Sequence, residues 1–204
     1  MNPRLLLLAA GAALLMGLSA RADDFQPLFN GKDLSGWVQP DDKTIWSVEN
    51  GEIVGQTKEG QLKKNEFLVT DKPYKNFVLR AKVKIRNGNS GIQVHSHRAD
   101  NGAVAGPQVD IADGYWGVLY DEKGKRGIIE RYDPAKAKEL AHQGDWNELE
   151  ITMKDNHLTV VLNGTKIIDR QDDQFPENGV IALQVHAGPP MQVRFKDLEI
   201  KPLD

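Results

Sequence analysis

The sequence predicts an all-β domain, a sandwich or a barrel, and three observations predict it. Short segments that alternate apolar and polar residues recur along the chain, punctuated by Gly, Asn, Asp and Pro. The alternation is cleanest where Phe77, Leu79, Ala81, Val83 and Ile85 interleave with Val78, Arg80, Lys82, Lys84 and Arg86, so that one face packs and the other meets water. Only Pro134 to Ala141 reads as a helix, with proline placed where a helix begins.

In chain order, Phe25 to Phe29 leads into the turn pair Asn30-Gly31 and then Leu34 to Trp37. Ile45 to Val48 and Glu52 to Val54 flank Asn50-Gly51, a hairpin signal because both turn positions need positive φ. Phe67 to Val69 is a brief strand. After the long alternating strand, Asn87-Gly-Asn89 turns the chain into Ser90 to Ser96, and Gln108 to Ile111 follows a polar loop. Trp116 to Tyr120 is a further strand. Trp146 to Met153 and Leu158 to Leu162 join near Asp155-Asn156, and Asn163-Gly164 turns into Lys166 to Asp169. Asn163-Gly-Thr165 matches a glycosylation acceptor, but the hairpin accounts for Asn-Gly in full. The last pair runs from Gly179 to His186 and from Val193 to Ile200, broken by Ala187-Gly-Pro-Pro190, where proline removes donors from the ladder.

The first residues read as a targeting signal. Arg4 supplies a positive start, Leu5 to Leu18 is apolar, and Ala20-Arg21-Ala22 fits small-x-small cleavage. The run is shorter than the ~20 apolar residues that span a bilayer, so residues 1–22 are expected to be a signal peptide of a periplasmic or secreted protein with no stable membrane anchor. Residues 23–204 show no repeat, linker or low-complexity tract and are expected to form a single domain. The 204-residue chain has no cysteine, which excludes disulfides, cysteine-ligated metals and a lipid-carrying cysteine. Taking Arg4 and Arg21 from the 26 Lys+Arg leaves 24 against 29 Asp+Glu. An acidic balance argues against nucleic acid as a partner.

Three strands share one pattern. Gln93-Val-His95, Gln108-Val-Asp110 and Gln184-Val-His186 each place a glutamine and a titratable group two residues apart, hence on one strand face, with the valine turned to the core. Any one such pair suits the solvent side of a half-buried strand; three of the same shape point to a site. Amides offer paired donors and acceptors, and imidazoles exchange protons near neutral pH, a combination that suits a polyhydroxylated ligand. Tyr115, Trp116 and Tyr120 are expected to supply stacking surfaces, and Glu130 is a further carboxylate for substrate contact. His142 and His157 read as loop and strand-start residues. Two histidines and a carboxylate equal a facial-triad ligand count, and a divalent metal is weighed on that ground. No short spaced motif supports it, so no metal or other cofactor is expected.

Ordinary glycoside hydrolysis needs two carboxylates flanking the scissile bond. Many β-sandwich glucanases carry them as Glu-x-Asp-x-x-Glu. The closest stretch here, Gln108-Val-Asp110-Ile-Ala-Asp113, has an amide at the nucleophile position, and an amide cannot form a glycosyl ester. A retaining glucanase mechanism is not expected.

Phe29-Asn-Gly-Lys-Asp-Leu-Ser-Gly-Trp37, Asn89-Ser-Gly-Ile-Gln93, Gly144-Asp-Trp-Asn-Glu-Leu-Glu150, Leu162-Asn-Gly164 and Ile181-Ala-Leu-Gln-Val-His-Ala-Gly-Pro-Pro-Met191 resemble the 3-keto-disaccharide hydrolase domain family, from about Phe25 to Ile200. The resemblance implies a concanavalin A-like fold, a two-sheet antiparallel β-sandwich (jelly roll) whose concave face binds sugar. It also implies cleavage of glycosides already oxidised at C3. The ketone acidifies the C2 proton, so a base forms an enediolate and the C1 substituent leaves; water can then add. His95 or His186 is expected as the base, with Asp110 orienting one of them or acting itself. Gln93, Gln108 and Gln184 are expected to hold hydroxyls and enolate charge. Gln108 to Ile111 is similar to the family's Glu-x-Gln-x-Asp region but displaced, because Asn101 to Gly106 precedes it. The expected partner is an oxidised oligosaccharide or glycoside; a non-catalytic, lectin-like carbohydrate-binding domain is the alternative.

Overall fold

A computed structural model describes residues 24–204; the expected signal peptide lies outside the described residues. The chain forms β1 (Gln26–Pro27), β2 (Trp37–Val38), β3 (Trp46–Glu49), β4 (Glu52–Gln56), β5 (Glu66–Thr70), β6 (Phe77–Arg86), β7 (Ser90–Arg98), β8 (Val104–Ile111), β9 (Val118–Glu122) and β10 (Ile128–Arg131). Among the described residues a single helix, α1 (Pro134–Leu140), precedes β11 (Asn147–Lys154), β12 (His157–Leu162), β13 (Thr165–Gln171), β14 (Val180–Val185) and β15 (Gln192–Pro202). One sheet runs β13-β12-β11-β6-β15-β4-β3, with β1 beside β15, and the other runs β10-β9-β8-β7-β14-β5-β2. Every named strand pair is antiparallel. The fold is the two-sheet jelly roll that the resemblance implies.

Local chemistry explains the corners. Asn50 and Gly51 both adopt positive φ between β3 and β4, as do Asn163 and Gly164 between β12 and β13. The Asn163 side chain accepts from the Glu148 N–H and donates to the Leu140 carbonyl, so it ties the hairpin to the helix end. Asp133 caps α1 by accepting from the N–H groups of Ala135 and Lys136, and Pro134 occupies the first turn.

The core lies between the sheets. Phe77, Leu79, Ile151, Met153, Leu158 and Phe195 of the first sheet face Leu68, Ile92, Ile111 and Leu119 of the second, all buried. Each such side chain contributes roughly 1.5–3 kcal/mol on burial. Val94, Val109 and Val185 join this core, as the alternation requires. The basic row of β6 behaves as a solvated face with ion pairs: Arg80 to Glu150 at 2.9 Å and Lys82 to Asp197 at 3.1 Å.

A β-bulge on β7 sets the shape of the second sheet. Gln93 pairs with Gln108 and His97 with Ala105, so β7 carries one more residue than β8 in that interval. His95 takes up the surplus at φ 46°. Beyond the bulge the β7–β8 hairpin brings Val104 onto Phe67, Val69 and Ala182, a small apolar cluster separate from the main core. Gly106 has no room for a Cβ against Ser96, so the two strands can approach only with glycine there.

Candidate active site

Gln108 and Asp110 stand two apart on β8, and Asp110 lies opposite Gly91 of β7. Gln108 donates from Nε2 to Asp110 Oδ1 at 2.8 Å and to Gln184 Oε1 at 3.4 Å. Its own Oε1 accepts from Gln93 Nε2 at 3.3 Å. The three glutamines therefore meet, as their spacing predicts, and form one amide chain that ends on a carboxylate. Gln93 and Gln184 are fully buried, however, and support Gln108 from behind. Gln93 Oε1 and Gln184 Nε2 remain without a hydrogen-bond partner.

In front of the chain is an open pocket of about 560 Å3, lined by Gln108, Asp110, Tyr115, Tyr120, Glu122, Asn65, Asn89, Lys123, Ile128 and His186. Asp110 is 5 % exposed and Glu122 7 %. Burial pushes the Asp110 carboxyl up to about 7; the Gln108 hydrogen bond opposes the rise, the Glu122 charge adds to it and Arg131 counters it. Asn65 donates to Glu122 Oε1 at 3.2 Å, and Asn89 Oδ1 is buried without a partner. A second depression, about 530 Å3 over the outer side of the first sheet, is lined by ion-paired surface charges such as Arg80 and Glu150 and lies away from these groups.

The expectation that Gln93 and Gln184 contact substrate is corrected by their burial behind Gln108, and four more need correcting. His95 does not share a face with Gln93, because the bulge at its positive φ reverses the alternation. It is fully buried against Phe77, at 5.9 Å between ring centroids, with Nδ1 on the Pro176 carbonyl at 2.6 Å and Nε2 on the Lys75 carbonyl. With both nitrogens on backbone oxygens, the ring anchors two loops and does not reach the pocket. Trp116 lies in the turn before β9, and its indole is buried in the main core, so it offers no stacking surface. Glu130 pairs in register with Leu119, a core residue, and its carboxylate accepts from the Asp169 N–H at 3.5 Å, outside the pocket. The strand expected at Trp116 to Tyr120 is shifted to Val118–Glu122.

That shift brings in a residue the sequence reading passed over. Tyr120 pairs with Gln108, so Glu122, two residues on, returns to the same face. The Tyr120-Asp-Glu122 spacing is the same i, i+2 signal as Gln108-Val-Asp110. His186 sits past the end of β14 at the pocket margin, exposed, with Nδ1 on the Ala187 carbonyl at 2.5 Å. Lys123, at positive φ in the β9–β10 turn, completes that wall.

A two-layer antiparallel sandwich with carboxylates, amides and tyrosines gathered on one sheet is a jelly-roll protein with a polar pocket on one sheet face. The chain belongs to the 3-keto-alpha-glucoside-1,2-lyase-like domain family, whose model matches residues 24–201. A candidate glycosyl hydrolase from Parabacteroides distasonis is similar at 28% identity and a TM-score of 0.66, covering 88% of this chain and 94% of that one. A carbohydrate-binding module from Bacillus subtilis, at 15% identity, gives a TM-score of 0.58 over 81% of this chain and 95% of its own. An alginate lyase, at 14% identity, gives 0.54 over 78% of this chain and 83% of its own. These last two show the shared fold alone. No curated protein matches the chain by sequence.

Proposed function

We propose that this protein cleaves 3-keto-glucosides by elimination across C1 and C2, with Asp110 as the general base. The observation that carries the reading is a buried carboxyl, raised to about 7, at the wall of an open polar pocket. A base with that value is half ionised near neutral pH, where general-base catalysis is most effective. The family to which the chain belongs and the likeness to a candidate glycosyl hydrolase both support it.

The steps use this chain's residues in the following way. The Asp110 carboxylate takes the proton from C2, and the bonding pair moves to the C3 oxygen as an enolate. The Lys123 ammonium, in the same pocket, offsets that charge. The enolate returns to a ketone as C1=C2 forms, and the C1–O bond breaks with its electrons on the leaving oxygen. That oxygen takes a proton from His186 at the open margin or from water. The product is a 1,2-unsaturated 3-keto sugar plus an alcohol. Addition of water, hydroxyl to C1 and proton to C2, completes hydrolysis.

The test is product release from 3-keto-trehalose beside trehalose, with wild type and Asp110→Asn. Cleavage of the keto sugar alone, lowered ~10²–10⁴-fold by the substitution, is expected. Cleavage of trehalose itself, or full activity of Asp110→Asn, overturns the mechanism. Binding without cleavage replaces it with a carbohydrate-binding role.

A further inference from the structure

Among the described residues, the large apolar side chains that stand exposed are Tyr115, at 45 %, and Ile128, at 46 %. Both line the pocket that holds Asp110. Isolated exposed apolar residues are ordinary, but two converging on one polar pocket are not. Ile128 also lies on β10, the edge of its sheet, where an exposed apolar side chain invites unwanted pairing and polar residues are the usual choice.

Register places Ile128 in a graded row. Ile128 pairs with Tyr120, Tyr120 with Gln108, and Gln108 with Gln93. Directly paired residues of antiparallel strands share a face, so the row passes from aliphatic to aromatic to amide. Two strand spacings separate Ile128 from Gln108, roughly 10 Å, which leaves space for one ring beyond the sugar held at Asp110. Tyr115 is held at this end by the Arg131 guanidinium, 5.6 Å from its ring centroid.

We propose that Ile128 and Tyr115 form the leaving-group subsite, and that it takes a flat, apolar aglycone in preference to a second sugar. This rests on the reading of Asp110 as the base for 3-keto-glucosides. The sugar ring, rich in hydroxyls, belongs at the amide and carboxylate end, where donors and acceptors are held ready. A second sugar at the Ile128 end sets hydroxyls against a branched aliphatic chain that cannot pair with them, and burying unpaired hydroxyls is unfavourable. An aryl group loses nothing there and covers both apolar side chains.

The experiment compares benzyl and methyl 3-keto-α-glucosides, whose leaving alcohols are similar in basicity, so the ratio of kcat/KM values reads the subsite and not the chemistry. Wild type is expected to favour the benzyl compound by about tenfold or more. Ile128→Asn and Tyr115→Ala are each expected to lower that ratio towards unity. A wild-type ratio near unity, or a ratio that neither substitution moves, overturns the subsite while leaving the elimination reading intact. If neither these glycosides nor 3-keto-trehalose is cleaved, the elimination reading fails and calorimetry decides the subsite. Tighter binding of the benzyl compound, weakened in Ile128→Asn, supports it, and equal affinities overturn it.

Discussion

Gln108 lies across the backbone of Gly91: a Cβ added to Gly91 would meet Gln108 Cδ and Cγ at 2.6 Å. Gly91 is also the residue opposite Asp110. The glycine thus makes the recess in which the amide that orients the candidate base can lie.

Gly91→Ala is expected to displace Gln108 and, with it, the 2.8 Å bond to Asp110. Gln108 is buried and tied to two other glutamines, so yielding to the added Cβ means giving up those bonds. Overpacking of this kind costs about 1–3 kcal/mol, while a misplaced catalytic group costs roughly 10²-fold in rate. A loss of kcat/KM much larger than the loss of stability on urea unfolding is the expected result. Full activity would show that Gln108 does not position the base.

Asp110 itself should trade stability for function. Its carboxyl is raised from 3.8 to about 7, so the fold favours the protonated form. The stability this contributes is complete below the unfolded-state value and is lost as pH rises through about 7. A shift of that size corresponds to roughly 4 kcal/mol at most. Asp110→Asn keeps an acceptor for Gln108 and removes the buried charge. Its Tm should therefore exceed that of wild type at about pH 8 and approach it at about pH 4. Equal Tm values at the higher pH would mean the ionised carboxylate is well accommodated.

The rate–pH profile should respond to neighbours of opposite sign in opposite directions. Activity requires ionised Asp110, so kcat/KM should rise with pH through about 7. Glu122 raises this value and Arg131 lowers it. Glu122→Gln should move the rising limb to lower pH, and Arg131→Gln to higher pH. Limbs that stay in place in both variants would assign the titration to another group.

His95→Ala is expected to damage stability and spare chemistry. The substitution leaves the Pro176 and Lys75 carbonyls without their ring partner and opens space beside Phe77. A loss of about 3 kcal/mol follows from unsatisfied buried acceptors and a cavity. Folded variant protein at low temperature should keep turnover within about threefold of wild type, since fully buried His95 does not face the pocket. A loss approaching that of Asp110→Asn would return His95 to the mechanism.

The alternating residues by themselves determined most of the strands, though not β10 or the bounds of β9, and the Asn-Gly pairs determined two of the hairpins, because side-chain period and positive φ are local properties. Local periodicity also put Gln108 and Asp110 on one face and Val109 behind them. Two other features were decided by tertiary structure alone. The extra residue on β7 exists only relative to β8, so the reversal that removes His95 from the face of Gln93 is invisible in a strand read singly. The pairing of Tyr120 with Gln108 is a non-local register, and it alone brings Glu122 to the pocket with Asp110. The raised Asp110 carboxyl follows from that same assembly: desolvation and a second nearby charge arise only when strands distant in sequence close over one another.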